Sequence, residues 1–198
     1  MRFLRSIQRD AKLFIYIYIL LILFRCAFLV IYSGQLGNAG AGDIAEALWL
    51  GARISLKTTA FLVVFPFIFA TIPYSFWPRW PAQKIRNVLG SAAIAIMTVL
   101  FMARIPYYEV FHHAFDIMLF NGMTDDKAAI WDTVVHQYQF WPRLAGAAAL
   151  IVLFVFLWLR LAKTPVWTPK RHVRRYVILV AVLIPIFGIF CRFGGAFN

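Results

Sequence analysis

The sequence predicts an all-α polytopic membrane protein, with five transmembrane helices, two amphipathic interfacial helices in an outer loop, N-terminus in and C-terminus out. Composition is the first ground: 63% of the 198 residues are hydrophobic and only 14% are charged, far from a soluble globular average. The second is five apolar runs, 13–32, 48–72, 88–105, 144–162 and 176–193. Each approaches the roughly 20 residues a helix needs to cross a hydrocarbon core. None alternates apolar and polar residues as a membrane-barrel strand does.

Charge distribution is the third ground. Arg2, Arg5, Arg9 and Lys12 precede the first run, and Arg79, Lys84 and Arg86 separate the second from the third. Arg160, Lys163, Lys170, Arg171, Arg174 and Arg175 lie beside or between the fourth and fifth. Asp10 is the one acid on these segments, whereas 33–47 and 106–142 carry Lys127 as their one lysine or arginine. The net charge of +12 therefore reads as the positive-inside pattern and not as affinity for nucleic acid. It places the N-terminus in the cytoplasm.

The elements follow in order. Residues 1–12 form a basic lead-in to the first helix, whose apolar run is too long for a signal-peptide core and is read as a retained anchor. Residues 34–42 (GQLGNAGAG) make a flexible outer turn, after which Asp43 is expected to cap the second helix. Pro66 should kink that helix, and it is expected to end near Pro73. Trp77 and Trp80 beside Arg79 and Lys84 read as interfacial anchors. Small residues at 90–95 and 145–149 allow close helix approach in the third and fourth helices. Cys26 and Cys191 fall within spans and read as small hydrophobes. The chain stops as it reaches the outer side, so further protein is expected there.

Four cations, Arg25, Arg53, Lys57 and Arg104, sit where a lipid-facing helix does not keep them. At about 1.5 Å per residue, Arg25 lies roughly 10 Å, Arg53 roughly 8 Å and Lys57 roughly 14 Å from the outer helix ends, and Arg104 at the outer end of its helix. Intramembrane charges cost about 2.5–3.5 kcal/mol each and so face a bundle interior or polar cavity. Arg53 and Lys57 are one turn apart and repel, which calls for an anion; phosphate matches both side chains. One reading is a pocket for an anionic phospholipid headgroup. The other pairs these cations with Asp43, Glu109 or Asp116, or lets them snorkel to the interface.

The outer segment 104–138 carries five of the eight acids and three of the four histidines. Glu109, His112, His113 and Asp116 would form one polar stripe on a helix. Thr124 would cap a second helix carrying Ile130, Trp131, Val134, Val135 and Tyr138, with Pro142 ending it. Adjacent histidines lack the i, i+4 spacing of a zinc helix, so no metal site is predicted, and no catalytic set accompanies the stripe.

Arg104, Tyr107, Tyr108, Phe115, Asn121, Asp125, Asp126 and Tyr138, with Gly42-Asp43 and Gly51-Ala52-Arg53, resemble the membrane domain of the lipoteichoic acid synthase-like family. Ser55 stands where that pattern carries an acid. The family consists of phosphoglycerol transferases of the sulfatase/alkaline phosphatase superfamily. The resemblance implies a bacterial cytoplasmic membrane location, phosphatidylglycerol as the lipid partner, and a following extracellular catalytic domain. That domain would hold a divalent metal, manganese-like, and the nucleophile; none of that machinery maps onto these residues. The expected role is to anchor the enzyme and present lipid at the outer leaflet. A small anion transporter or channel, or a purely structural anchor, is the alternative.

Overall fold

The computed structural model describes residues 2–35, 37, 40–112 and 140–166, and among them every regular element is helical. In chain order these are α1 (Arg2–Ile31), a 3₁₀ turn (Ser33–Gln35), α2 (Ala41–Pro66), a π-helical turn (Phe67–Thr71), α3 (Ile72–Phe76), α4 (Ala82–Phe111) and α5 (Phe140–Lys163). Four stretches are long and apolar enough to cross a membrane: Arg5–Ile31, Ala41–Phe76, Ala82–Glu109 and Trp141–Lys163. They correspond to the first four predicted runs. The fifth run, and the outer segment from 113 to 139 with Thr124 and most of both predicted amphipathic helices, lie outside the described residues.

Every helix outruns its apolar window, for local reasons. α1 begins at Arg2, because the lead-in is built largely of good helix formers. α2 begins at Ala41 after Gly40, and Asp43 is not the cap residue. It sits inside the first turn and accepts the Gly40 N–H on Oδ2 at 2.9 Å. Pro66 does not end the helix: the backbone widens into the π-turn and continues through Pro73 to Phe76. An α-helix would send the missing Pro73 N–H to the Phe69 carbonyl. The Trp80 indole Nε1 donates to that oxygen instead, at 2.9 Å, so one predicted interfacial anchor also closes the turn. α4 runs on through Pro106 to Phe111, past the predicted end at Ile105. Pro142 lies in the first turn of α5, where a proline costs little.

The chain divides into two compact units, residues 1–93 with 158–198, and residues 94–157. In the first, α1 buries Leu13, Ile17, Leu20 and Phe24 at alternating spacings of four and three, the stripe of a helix facing a core. Ser6 and Asp10 extend that stripe toward the N-terminus and are buried too. α2 turns Gly51, Ser55, Thr59, Val63 and Pro66 inward. α4 contributes Ala82, Arg86, Gly90 and Ala93. A side chain at Gly90 would come within 2.9 Å of Leu13 Cδ1 and 3.1 Å of Trp158 Nε1, so the predicted close approach at this glycine is present. Trp158 is fully buried, its ring 5.9 Å from that of Tyr16. Lys12 closes the C-terminal end of α5, donating to the Thr164 carbonyl and hydroxyl at 3.1 and 2.7 Å and to the Pro165 carbonyl at 3.0 Å. Cations are favoured at that end of a helix.

In the second unit, Tyr107 and Ala147 are buried. Gly146 makes only an ordinary approach to Met102, and Ala145, Ala148 and Ala149 are exposed. The small residues of α5 thus do less than those of α4.

Candidate functional site

The α-helix turns about 100° per residue, which fixes where the α2 cations stand. Gly51 and Ser55 face inward; Arg53 and Lys57, each two residues further on, lie about 200° around the axis. Lys57 is exposed and Arg53 half-buried. Leu50, Ile54, Phe61 and Val64 flank Lys57 and are all exposed. The pair one turn apart therefore sits on the outward, apolar side of α2.

Arg25 goes to the opposite side. Its Nε donates to Ser55 Oγ at 2.8 Å, and its guanidinium lies over Gly51, where a Cβ would fall 2.7 Å from Nη1. The glycine is thus a slot for the arginine. The serine that replaces an expected acid is the hydroxyl that receives it. Arg104 is half-buried on α4 within the other unit. The described geometry therefore does not gather the four predicted cations into one α2 pocket: Arg25 is directed inward and Arg53 and Lys57 outward.

Two of the acids expected as partners, Asp43 and Glu109, make contacts of their own. Asp43, in the first turn of α2, accepts the Gly40 N–H. Glu109 Oε2 accepts from Arg143 Nη2 at 2.8 Å, an ion pair about a third exposed on both sides. The stripe of Glu109, His112, His113 and Asp116 does not continue as one helix. α4 ends at Phe111, and His112 takes a left-handed backbone with φ of 56°. Histidine is among the non-glycine residues enriched in that conformation. Its ring stands edge-on to Tyr108. His113 and Asp116 lie outside the described residues.

Among the described residues, the most highly built polar site is one the sequence did not single out. Arg86 Nε meets Asp10 Oδ1 at 2.6 Å, with both side chains almost wholly buried. Arg86 Nη2 donates to Ser6 Oγ at 2.7 Å and Thr71 Oγ1 at 2.9 Å, and Nη1 to Gln83 Oε1 at 3.2 Å. The Thr71 hydroxyl donates to Asp10 Oδ2. One carboxylate, one guanidinium and two hydroxyls thus join α1, the π-turn and α4. Burying a lone charge costs several kcal/mol, and a pair is tolerated only when its remaining donors and acceptors are met; here the carboxylate and the fork both find neutral partners besides each other.

By sequence alone Asp10 and Arg86 read as charges flanking the apolar runs. A signal was present: Asp10 falls in register with Leu13, Ile17, Leu20 and Phe24, and Arg86 with Ala82, Gly90 and Ala93. A charge on the buried stripe of a helix requires a partner, but its identity, 76 residues away, is not a local property.

Comparison with protein-family models, with curated proteins and with solved structures finds no match to this chain.

Proposed function

We propose that this chain is the membrane domain of a lipoteichoic acid synthase-like phosphoglycerol transferase, and that it holds an anionic phospholipid headgroup against α2. The observation that carries the lipid site is the pair Arg53 and Lys57, like charges one turn apart on the exposed, apolar side of α2. Phosphate matches both side chains, receiving the guanidinium fork and the ammonium. Acyl chains would then run toward the bilayer centre along Phe61 and Val64, both exposed. Arg25, directed inward onto Ser55, steadies the helix behind the site.

The transferase assignment rests on the sequence resemblance and the cationic site. It puts the chain in a bacterial cytoplasmic membrane with its N-terminus inside and an extracellular catalytic domain following. Native mass spectrometry in mild detergent, with phosphatidylglycerol and phosphatidylcholine offered together, tests the lipid site. Selective retention of phosphatidylglycerol is expected, lost in Arg53→Ala/Lys57→Ala and kept in Arg25→Ala. Equal retention of both lipids by all three proteins would sink the headgroup reading and leave a plain anchor.

A further inference from the structure

The π-turn decides where Thr71 points. Inward residues of α2 run Gly51, Ser55, Thr59, Val63, Pro66, and in a continuous α-helix this face passes next through Ala70. Thr71 would then stand about 100° off it. A π-turn inserts one extra residue into the helical path, turning all that follows back by about that angle. Thr71, the last residue of the turn, thereby comes onto the buried face beside Ala70, and both are fully buried.

The same extra residue brings the Thr71 hydroxyl to Asp10 and Arg86. Unwound to an ordinary α-helix, the segment would present Ala70 there, and the ion pair would lose the hydroxyl that both of its members use. Pro66 and Pro73 bracket the turn, and neither supplies an N–H to hold an α-helical ladder. Trp80 ties the far side of the turn through the Phe69 carbonyl. Its ring neighbours that of Trp77, which neighbours that of Phe76, with centroids 6.5 Å apart in each pair. Phe76 and Trp77 are among the most exposed aromatic side chains described.

We infer that the Ser6–Asp10–Thr71–Arg86 cluster is a latch that holds residues 67–76 in the π-wound register, and that the Pro66–Pro73 segment is the hinge it restrains. Releasing Thr71 lets the extra residue pass out of the turn. α3 then rotates by about 100° and carries the exposed Phe76 and Trp77 to a different side. The latch is independent of the lipid site, since Arg53 and Lys57 are not among its members.

Electron–electron spin resonance on the full chain tests this, with spin labels on Phe76→Cys and Val88→Cys in a Cys26→Ala/Cys191→Ala background. Both labelled positions are exposed. The chord of a 100° turn on a helix about 11 Å across is about 8 Å, so the released form should appear as a second, resolved distance. Wild type and Thr71→Ser are expected to give one distance, and Thr71→Val two. Arg86→Lys, which withdraws the fork from Thr71 but keeps the charge, should give the same second distance. Deleting Ile68 removes the extra residue while leaving Thr71 on the buried face. In that background Thr71→Val should no longer produce the second distance. A Thr71→Val distribution that superimposes on wild type would overturn the latch. So would a second distance that persists after the deletion, since it would report lost packing and not a change of register.

Discussion

Around α1 and α2, two sets of cations are handled in different ways. Toward the N-terminal end of α1, Arg86 is enclosed with Asp10, and two hydroxyls and a glutamine amide meet its fork. Further along, Arg25 crosses to α2 over a glycine and onto the Ser55 hydroxyl, while Arg53 and Lys57 face outward. The first site satisfies its charge internally and so is suited to holding helices together. The second places like charges one turn apart among exposed apolar neighbours, and it is the site proposed above for an anion. Burial separates these roles better than charge alone does.

The largest test of the comparison is Asp10→Ala, which strands a buried guanidinium. Loss of one partner of a buried pair costs about 3–5 kcal/mol, read as a lowered midpoint in a denaturant titration of the detergent-solubilised protein. If Asp10→Ala costs no more than Ser55→Ala, the two regions do not differ as described.

Next comes Gly51→Ala, whose methyl would displace the Arg25 guanidinium. Overpacking of this kind costs about 1–3 kcal/mol, and the smaller figure is expected because the far end of a flexible side chain yields. Ser55→Ala should cost about 1 kcal/mol by removing the acceptor. The two substitutions should be less than additive, since both disturb one hydrogen bond.

Trp80→Phe keeps the aromatic bulk and removes the N–H that meets the Phe69 carbonyl; about 0.5–1.5 kcal/mol is expected. An unchanged midpoint would mean that Trp80 acts as an interfacial anchor alone. The smallest effect is expected at Arg143→Ala. The Arg143–Glu109 pair is partly exposed, and such pairs contribute about 0–1 kcal/mol. The effect should shrink further between 0.05 and 0.5 M salt, concentrations about which the screening length falls steeply. An Arg143 loss as large as that of Asp10 would erase the distinction between exposed and enclosed pairs.

Much of the fold was legible in the sequence because hydropathy is a property of a window of neighbours. Four of the five apolar runs correspond to helices long enough to span. Gly90 among small residues marked a close approach that Leu13 and Trp158 occupy. Helix ends were less legible. Ala41 and Phe111 lie beyond the apolar windows because backbone hydrogen bonding continues past the point where hydrophobicity stops. The cap expected at Asp43 lies at Gly40, earlier in the chain, and the Asp43 carboxylate reaches back to it from within the helix. The predicted site was legible as four cations and not as an arrangement: residues 51 and 53 are two apart in sequence yet on opposite sides of α2.

By itself, then, the sequence determined that this chain is helical, apolar enough to cross a membrane several times, and cationic at a few positions within its apolar runs. Those follow from composition and from the rise and turn of a single helix. Only the tertiary structure decided that Asp10 belongs to Arg86, that Arg25 belongs to Ser55, and that the backbone takes an extra residue before Thr71. Each depends on how separate helices meet and turn, because a charge removed from water is stabilised by whatever group packing brings within hydrogen-bond reach.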